Sequence, residues 1–248
     1  MPTKTAASKT DATQNLQALL QAGAHFGHRT ERWHPKMAQY IHTARNGVHI
    51  IDLVQTEDLL EKAERAVRSL AEDGKQILFV ATKRQAKAIV TDAAKNADMP
   101  YVTHRWLGGM MTNWETISSR IRHLKKLEAA KADGGWDHLT KKERLLLDEE
   151  IASLTKVFEG VKDMPTPPAA IFVVDVMREL TAVKEARTLG IPVIAMVDTN
   201  ADPGLVDYPV PANDDAIKSI ALIANRIATA AAAGKAAYDA KTKNEKED

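Results

Sequence analysis

The densest grouping of residues suited to binding chemistry lies between positions 105 and 126. The run Arg105-Trp-Leu-Gly-Gly-Met-Met-Thr-Asn113 places a cation, an aromatic ring and a glycine pair between an apolar strand and a helix. Arginine and tryptophan stack on nucleic-acid bases, and adjacent glycines let a backbone approach a partner closely. The helix that follows carries a basic set that can lie along a phosphate backbone: Arg120, Arg122, His123, Lys125 and Lys126. We interpret the whole segment as an RNA-binding face.

Two residues of this segment have competing interpretations. Trp106 either stacks on RNA or anchors the loop, because a buried tryptophan in a strand-to-helix turn commonly locks the turn. Asn113 is both a candidate RNA contact and a predicted N-cap of the basic helix. The spacing of Ile117, Ile121 and Leu124 predicts the buried face of that helix, which leaves the basic side chains outside.

A second group of candidate RNA contacts lies in the His-, Arg- and Gly-rich segment 24–46, for which we predict a surface loop. The candidates are Arg29, Arg32, Trp33 and Lys36. The amino-terminal part of the chain holds five histidines, at positions 25, 28, 34, 42 and 49. A metal site is conceivable there, but the chain has no cysteine, and we favour structural hydrogen bonding or nucleic-acid contact.

Two further patterns sit where strands end. Lys83 and Arg84 follow an apolar strand and precede a helix, which is a natural position for a phosphate contact, although plain solvation explains them equally well. Aspartates cluster at positions 198, 202, 207, 214 and 215. A magnesium ion near Asp198 and Asp202 is one interpretation, whereas turn and helix-cap chemistry is the favoured one.

No pattern in the chain calls for a catalyst. The dinucleotide-binding and Walker glycine patterns are absent, as is the Gly-x-Ser-x-Gly turn of serine hydrolases. We therefore expect no enzyme activity and no cofactor. The rival hypotheses are a cytosolic nucleotide- or metal-binding α/β enzyme, which is disfavoured, and a scaffold that binds protein alone.

The net charge of +1 conceals a strongly uneven distribution. Residues 75–126 carry a net charge of +7, whereas residues 145–215 carry −8. If the basic parts converge in space, they form a sided surface that attracts polyanions. No apolar run approaches the roughly 20 residues that span a bilayer, and we expect a cytoplasmic protein.

Apolar runs of strand length alternate with helical patterns and predict an α/β domain with a mostly parallel sheet. The predicted strands are 48–52, 77–81, 99–103, 170–175 and 192–198, and the main helices are 55–72, 83–96, 179–189 and 213–238. Residues 113–161 interrupt this alternation with two helical patterns, which predict an inserted antiparallel hairpin. We assign 14–112 and 162–238 to the α/β domain, and 1–13 and 239–248 to flexible or disordered tails.

Several motifs, in order along the chain, resemble the bacterial small-subunit ribosomal protein S-two family. They are Gly23-Ala-His-Phe-Gly-His28, Arg32-Trp-His-Pro-Lys-Met37, the Arg105–Asn113 run, the Pro168–Glu179 run, Gly190-Ile-Pro192 and Val197-Asp-Thr-Asn-Ala-Asp-Pro203. The likeness extends from about residue 14 to residue 230.

The resemblance implies a flavodoxin-like three-layer domain with a five-stranded parallel sheet of order 2-1-3-4-5. It also implies a ribosome-bound structural component of the small (30S) subunit that contacts 16S ribosomal RNA and neighbouring ribosomal proteins, including the large S-one protein. Neither a membrane nor a small-molecule substrate is expected as a partner.

Overall fold

The computed structural model describes residues 6–247, with side chains described for 13–243. Its strands are Phe26–Arg29 (β1), Ile41–Arg45 (β2), Val48–Ile51 (β3), Ile77–Val80 (β4), Tyr101–Val102 (β5), Ala170–Val174 (β6), Val193–Val197 (β7) and Tyr208–Pro211 (β8). Its helices are Ala6–Gln21 (α1), Leu53–Glu72 (α2), Lys87–Asn96 (α3), Trp114–Ala132 (α4), Lys141–Phe158 (α5), Leu180–Thr188 (α6) and Ile217–Glu247 (α7). Short 3-10 turns occupy Pro35–Tyr40, Glu159–Val161 and Pro203–Leu205.

Five parallel strands form the central sheet in the order β5-β4-β6-β7-β8. Numbered within the sheet, this is the order 2-1-3-4-5, and it confirms the flavodoxin-like α/β fold. Because all five strands are parallel, their carboxyl ends meet at one edge, which we call the carboxyl edge.

The sheet is buried on both faces. Side chains alternate along each strand, so that in β4 Ile77 and Phe79 join one core while Leu78 and Val80 join the other. Helices α2, α3 and α7 cover the Phe79 face, and α4 and α6 cover the Leu78 face. This arrangement explains why these strands read as continuous apolar runs.

The fifth strand of the sheet is not the one that the sequence predicted. The segment 48–52 does form a strand, but β3 pairs antiparallel with β1 and β2 in a separate small sheet. The fifth strand of the central sheet is instead β8. Its prolines at 209 and 211 make the sequence of this segment look unlike a strand. They are tolerated because β8 is an edge strand, where a missing N–H costs no ladder bond.

The predicted surface loop 24–46 was also wrong in part, because it contains β1 and β2. The two strands β2 and β3 are joined through Asn46 and Gly47, both at positive φ (53° and 74°). Asn-Gly with two positive φ angles is the strongest short-range signal for a β-hairpin, and the sequence analysis overlooked it.

Helices α4 and α5 follow β5 and return the chain to β6. They run antiparallel, as the Lys131 Nζ–Asp148 Oδ1 pair near their junction at 2.7 Å indicates. Thr140 begins α5 with a reciprocal capping box to Glu143, and Trp136 is buried in the turn between the helices. Helices α4 and α5 both lie within the segment 113–161.

Helix limits differ from expectation at three places. Helix α3 begins at Lys87 rather than at residue 83. A turn precedes it, and this turn places Lys83 at the carboxyl edge of the sheet. Helix α7 runs to Glu247 and α1 begins at Ala6, inside the segments predicted to be tails, since both are rich in alanine, a strong helix former.

Residues 1–5 and 248 lie outside the described residues. None of the helices in the described part is both long and apolar enough to cross a bilayer.

Candidate nucleic-acid interface

The connection from β5 to α4 is built around one carboxylate, that of Glu185 in α6. Its Oε1 accepts hydrogen bonds from the indole Nε1 of Trp106 at 3.0 Å and the amide of Gly109 at 2.8 Å. Its Oε2 accepts from the amides of Met111 at 3.0 Å and Thr112 at 3.2 Å, and from the Thr112 hydroxyl at 3.2 Å. A single buried side chain thus satisfies five donors of the loop.

These bonds keep Glu185 ionised. Burial alone would raise the pKa of its carboxyl group, but the indole of Trp106 and the loop amides outweigh burial and lower it. Gly109 has a φ of +83°, which glycine adopts without strain, and this turn directs its amide to the carboxylate. The glycine pair therefore shapes an internal loop around Glu185.

Trp106 is an anchor of the loop rather than an exposed stacking platform. Its side chain is buried, packs in the core of the Leu78 face and donates its only N–H to Glu185. Arg105, its neighbour, is exposed and has no hydrogen-bond or ion-pair partner among the described residues. Of the two residues, only Arg105 is free to meet a polyanion.

Asn113 occupies the N-cap position of α4, but its side chain makes no bond to the backbone N–H groups of the first turn. Its Oδ1 instead accepts from the Thr116 hydroxyl at 3.0 Å. The predicted capping bond was therefore wrong, while the predicted helix start was right. Asn113 is exposed and remains accessible to a partner.

Helix α4 buries the predicted face of Ile117, Ile121 and Leu124. Arg122 and Lys126 lie one turn apart on the opposite, outward side, and Arg120 lies at its flank. None of these three cations has a partner among the described residues. We call this group the hairpin cations.

The other two basic residues of α4 are paired within the chain. His123 Nε2 lies 3.0 Å from Glu150 Oε1 of α5, and Lys125 Nζ lies 2.8 Å from Asp163 Oδ1. Both pairs are exposed to solvent, where such an interaction contributes about 0–1 kcal/mol and is readily exchanged. They are secondary candidates for RNA contact.

The amino-terminal candidates surround the small antiparallel sheet. Arg29 and Arg32 are exposed and unpartnered among the described residues. Trp33 is 42% exposed, and its ring rests tilted against that of His49 with centroids 5.3 Å apart. Lys36 is held by Asp202, with Nζ to Oδ2 at 2.8 Å. Within the described residues, no hydrogen bond or ion pair joins this group to the segment 105–126.

Lys83 is not placed to contact a phosphate. It is 7% exposed and its Nζ lies 2.7 Å from both Asp214 Oδ1 and Asp215 Oδ1, and 3.2 Å from Asp175 Oδ2. Burial disfavours its charge, but these carboxylates outweigh burial and raise the pKa of Lys83. The prediction of Lys83 as a phosphate contact was therefore wrong, whereas Arg84 beside it is exposed.

Lys83 belongs to a buried charged cluster at the carboxyl edge. His28 of β1 reaches into this cluster, with Nδ1 3.0 Å from Asp198 Oδ1, and this bond raises the pKa of His28. Burial and the carboxylates of Asp175 and Asp198 raise the pKa of Asp214 to about 7. The cluster thus ties the small antiparallel sheet to the ends of β4, β6, β7 and β8.

The predicted magnesium position between Asp198 and Asp202 is not supported. Asp202 caps the 3-10 turn at Pro203–Leu205 and pairs with Lys36. Among the described residues, the grouping that could hold a cation is His28, Asp198 and Asp214, with ligand atoms within 4.8 Å of one another. The Lys83 ammonium already lies 2.7 Å from Asp214 Oδ1 in that grouping.

The five amino-terminal histidines do not converge on one point. His28 is in the charged cluster, while His34 accepts a hydrogen bond at Nδ1 from the Lys36 amide and caps a 3-10 turn. His49 is buried against Trp33. Their separate environments agree with structural roles.

Sequence reasoning missed Glu185 and Arg45. A signal for Glu185 existed, since it lies next to Ala186 and three residues after Ala182 on the buried face of a short helix. Arg45 is an exposed cation at the end of β2. Its position follows from the Asn46-Gly47 hairpin signal that was overlooked.

The chain is similar to known proteins over nearly its full length. Residues 19–234 match the family model described as Ribosomal protein S2. Relatives named small ribosomal subunit protein uS2 include that of Chloroherpeton thalassium, 54% identical over 88% of this chain and 88% of the relative. The protein of that name from Synechocystis sp. is 53% identical over 89% of this chain and 82% of the relative.

The protein of that name from Microcystis aeruginosa is 50% identical over 94% of this chain and 88% of the relative. A family match over most of the chain, together with a confirmed flavodoxin-like fold and sequence identities near one half, admits one conclusion. The chain belongs to the Ribosomal protein S2 family.

Proposed function

We propose that this protein is a structural, non-enzymatic component of the small ribosomal subunit in the cytoplasm and that it binds 16S ribosomal RNA through unpartnered surface cations. The observation that carries the RNA contact is the group of hairpin cations: Arg120, Arg122 and Lys126. His123 and Lys125 of the same helix are paired with carboxylates within the chain, but these three are not. The names of the relatives support the ribosomal location.

Free cations on a rigid helix suit a phosphate backbone. Arg122 and Lys126 lie about 6 Å apart by helix geometry, a separation comparable to that of successive phosphates along a strand. Their rigid placement reduces the entropy lost on binding, and each phosphate contact releases a condensed counterion. Arg105 and Asn113, near the start of α4, extend the same contact region.

A second contact region comprises Arg29, Arg32 and Trp33 beside the small antiparallel sheet. Of the two tryptophans considered for RNA contact, Trp33 is exposed and Trp106 is buried. We therefore assign base stacking to Trp33 rather than Trp106. Arg45 adds charge to the same sheet. We include Arg84 as a supporting phosphate contact, and Lys36, His123 and Lys125 as contacts that first exchange an internal carboxylate for a phosphate.

We also propose contacts with neighbouring small-subunit proteins, including the large S-one protein. This part rests on the family resemblance. On the surface of α5, Leu145 and Leu146 are 58% and 56% exposed and offer an apolar patch of the kind that protein partners cover. The excess acidic charge between residues 145 and 215 suits basic partners.

Charge reversal tests the RNA contact. We expect Arg122→Glu/Lys126→Glu to weaken binding to 16S ribosomal RNA and to lower the slope of log affinity against log salt by about 2. The matched control is Lys62→Glu/Lys218→Glu, which makes the same charge change at exposed, unpartnered positions on α2 and α7. Binding is measured by filter retention across salt concentrations, and incorporation by sedimentation of subunits reconstituted without the native protein.

Equal loss in the hairpin variant and the control would mean that only net charge matters and would contradict the assignment. If nuclease digestion left the complex of this protein with its subunit partners intact, the scaffold hypothesis would replace RNA binding.

A further inference from the structure

A cavity of about 420 Å³ opens at the carboxyl edge, beside the charged cluster around Lys83. Its walls come from the ends of three neighbouring strands. Thr82 follows β4, His104 and Arg105 follow β5, and Arg178 and Glu179 follow β6. The RNA contacts proposed above use only Arg105 from this group.

The cavity lies where the order of strands reverses. From β4, the chain passes to β5 on one side of the sheet, and the later strands β6, β7 and β8 add on the other side. The crevice at such a reversal is the usual ligand position in open parallel sheets. Its volume falls within the range of about 300–1,000 Å³ that small-molecule sites occupy.

The rim of the cavity carries basic side chains, and one buried carboxylate, that of Glu179, lies in its wall. Four basic residues line it, namely Lys87, His104, Arg105 and Arg178. None of them pairs with a carboxylate among the described residues. Burial lowers the pKa of His104, and the nearby cations Lys156, Lys87 and Arg105 lower it further.

One of these cations is held in place by the cavity wall. Arg178 Nε donates to Thr82 Oγ1 at 3.1 Å, and that hydroxyl in turn donates to Glu179 Oε1 at 2.5 Å. The guanidinium is thereby oriented through its Nε, and its terminal nitrogens stay available for the bidentate hydrogen bonds that arginine makes to phosphate. Thr181, in the first turn of α6, lines the same cavity.

The cavity also carries an acceptor. Glu179 is 2% exposed, and its Oε1 accepts from both the amide and the hydroxyl of Thr82, at 2.7 and 2.5 Å. Its Oε2 accepts no hydrogen bond from the described residues. This second oxygen, in a cavity that Trp106 also lines, suits an N–H group on a flat ring.

We propose that this cavity binds a phosphate ester the size of one nucleotide, with the phosphate at the arginine rim and the base toward Glu179. The nucleotide is either a free mononucleotide or one residue of an RNA chain whose base is turned out of its stack. The proposal stands independently of the hairpin cations, because it concerns a different set of side chains.

Isothermal titration of the full chain tests the site directly. We expect GMP and AMP to bind saturably, and guanosine, which lacks the phosphate, to bind at least about tenfold more weakly. We expect Arg105→Ala/Arg178→Ala to lose about tenfold or more in mononucleotide affinity. The control Arg65→Ala/Lys184→Ala removes two cations outside the cavity and leaves affinity unchanged. Thermal unfolding of each variant verifies that it is folded.

Competition distinguishes the two sources of phosphate. Displacement of GMP by a single-stranded RNA oligomer that binds the Arg105→Ala/Arg178→Ala variant more weakly than the control variant indicates an RNA residue. GMP binding that the oligomer does not displace indicates a free nucleotide. The variant Arg122→Glu/Lys126→Glu keeps the cavity intact and should bind GMP as the wild type does. Loss of RNA binding through the hairpin cations is thereby distinguished from loss of nucleotide binding in the cavity. The proposal is overturned if no mononucleotide binds at about 10 mM, or if the cavity variant binds as tightly as its control.

Discussion

The carboxylate of Glu185 receives the indole N–H of Trp106 at 3.0 Å, across 79 residues of chain. This bond connects helix α6 to the loop that begins the inserted hairpin and lies inside the protein, whereas the hairpin cations lie on its surface. Stability and RNA binding are therefore separable at this loop, and substitutions can address each property alone.

Glu185→Gln should lower the free energy of unfolding by about 3 kcal/mol, because the amide group brings N–H donors to a site filled with donors. Urea unfolding followed by circular dichroism measures the loss. The control Glu115→Gln, at an exposed position in the first turn of α4, should cost less than about 0.5 kcal/mol. A similar cost for both variants would contradict the organising role of Glu185.

Trp106→Phe and Trp33→Ala should have opposite effects. The first removes a hydrogen bond to a charged group and costs about 1.5–3 kcal/mol of stability, while the RNA affinity of the folded protein stays the same. The second leaves stability nearly unchanged and weakens RNA binding by about 1–3 kcal/mol if a base stacks there. Unfolding curves measure the stability, and gel-shift titrations measure the RNA affinity. The reverse result, in which Trp106→Phe weakens RNA binding and Trp33→Ala does not, would make Trp106 the stacking residue.

The charged cluster makes stability fall as pH rises. The folded pKa of Asp214 is raised to about 7, so the folded chain holds an extra proton above the unfolded pKa of 3.8, and that stabilisation is lost as pH rises to about 7. The raised pKa of His28 acts in the same direction: its contribution is complete below pH 6.5 and is lost as pH rises through the folded pKa.

We expect the cluster to lower stability by up to about 1 kcal/mol per pH unit between pH 5 and 8. Urea unfolding at pH 5, 6, 7 and 8 gives the slope, and Asp214→Asn should flatten it because the asparagine does not titrate. The carboxylates with lowered pKa, such as Asp52 and Asp202, change stability only at more acidic pH. An identical slope in wild type and variant would remove Asp214 as the cause.

Gly160→Ala should lower the free energy of unfolding by about 2–3 kcal/mol. Gly160 lies where the chain returns from the hairpin to the sheet. A β-carbon at Gly160 would lie 2.1 Å from the carbonyl oxygen of Tyr101, so the backbone must shift. Gly108 is the matched control, since a β-carbon there meets nothing within 4 Å. Chemical denaturation of the two variants compares them, and equal stability would show that the contact between β5 and the 3-10 turn is readily relaxed.

The sequence by itself determined the features that repeat locally along the chain. Continuous apolar runs identified β4, β6 and β7, because strands buried on both faces lose the alternation of a surface strand. Helical spacing located the hairpin and the buried face of α4, and residue types marked Arg120, Arg122 and Lys126 as outward cations. Each of these inferences needs only neighbours within one or two turns.

Only the tertiary structure decided which distant residues meet. It placed β3 in a separate antiparallel sheet and β8 at the edge of the central one, because strand pairing depends on partners that a local pattern does not contain. It buried Lys83 among three carboxylates from two other strand ends and brought Glu185 to Trp106. Long-range partners decide whether a charged or aromatic side chain lies on the surface or anchors the interior. The reason is that a polar group is stable in the interior only when such partners form hydrogen bonds or ion pairs with it.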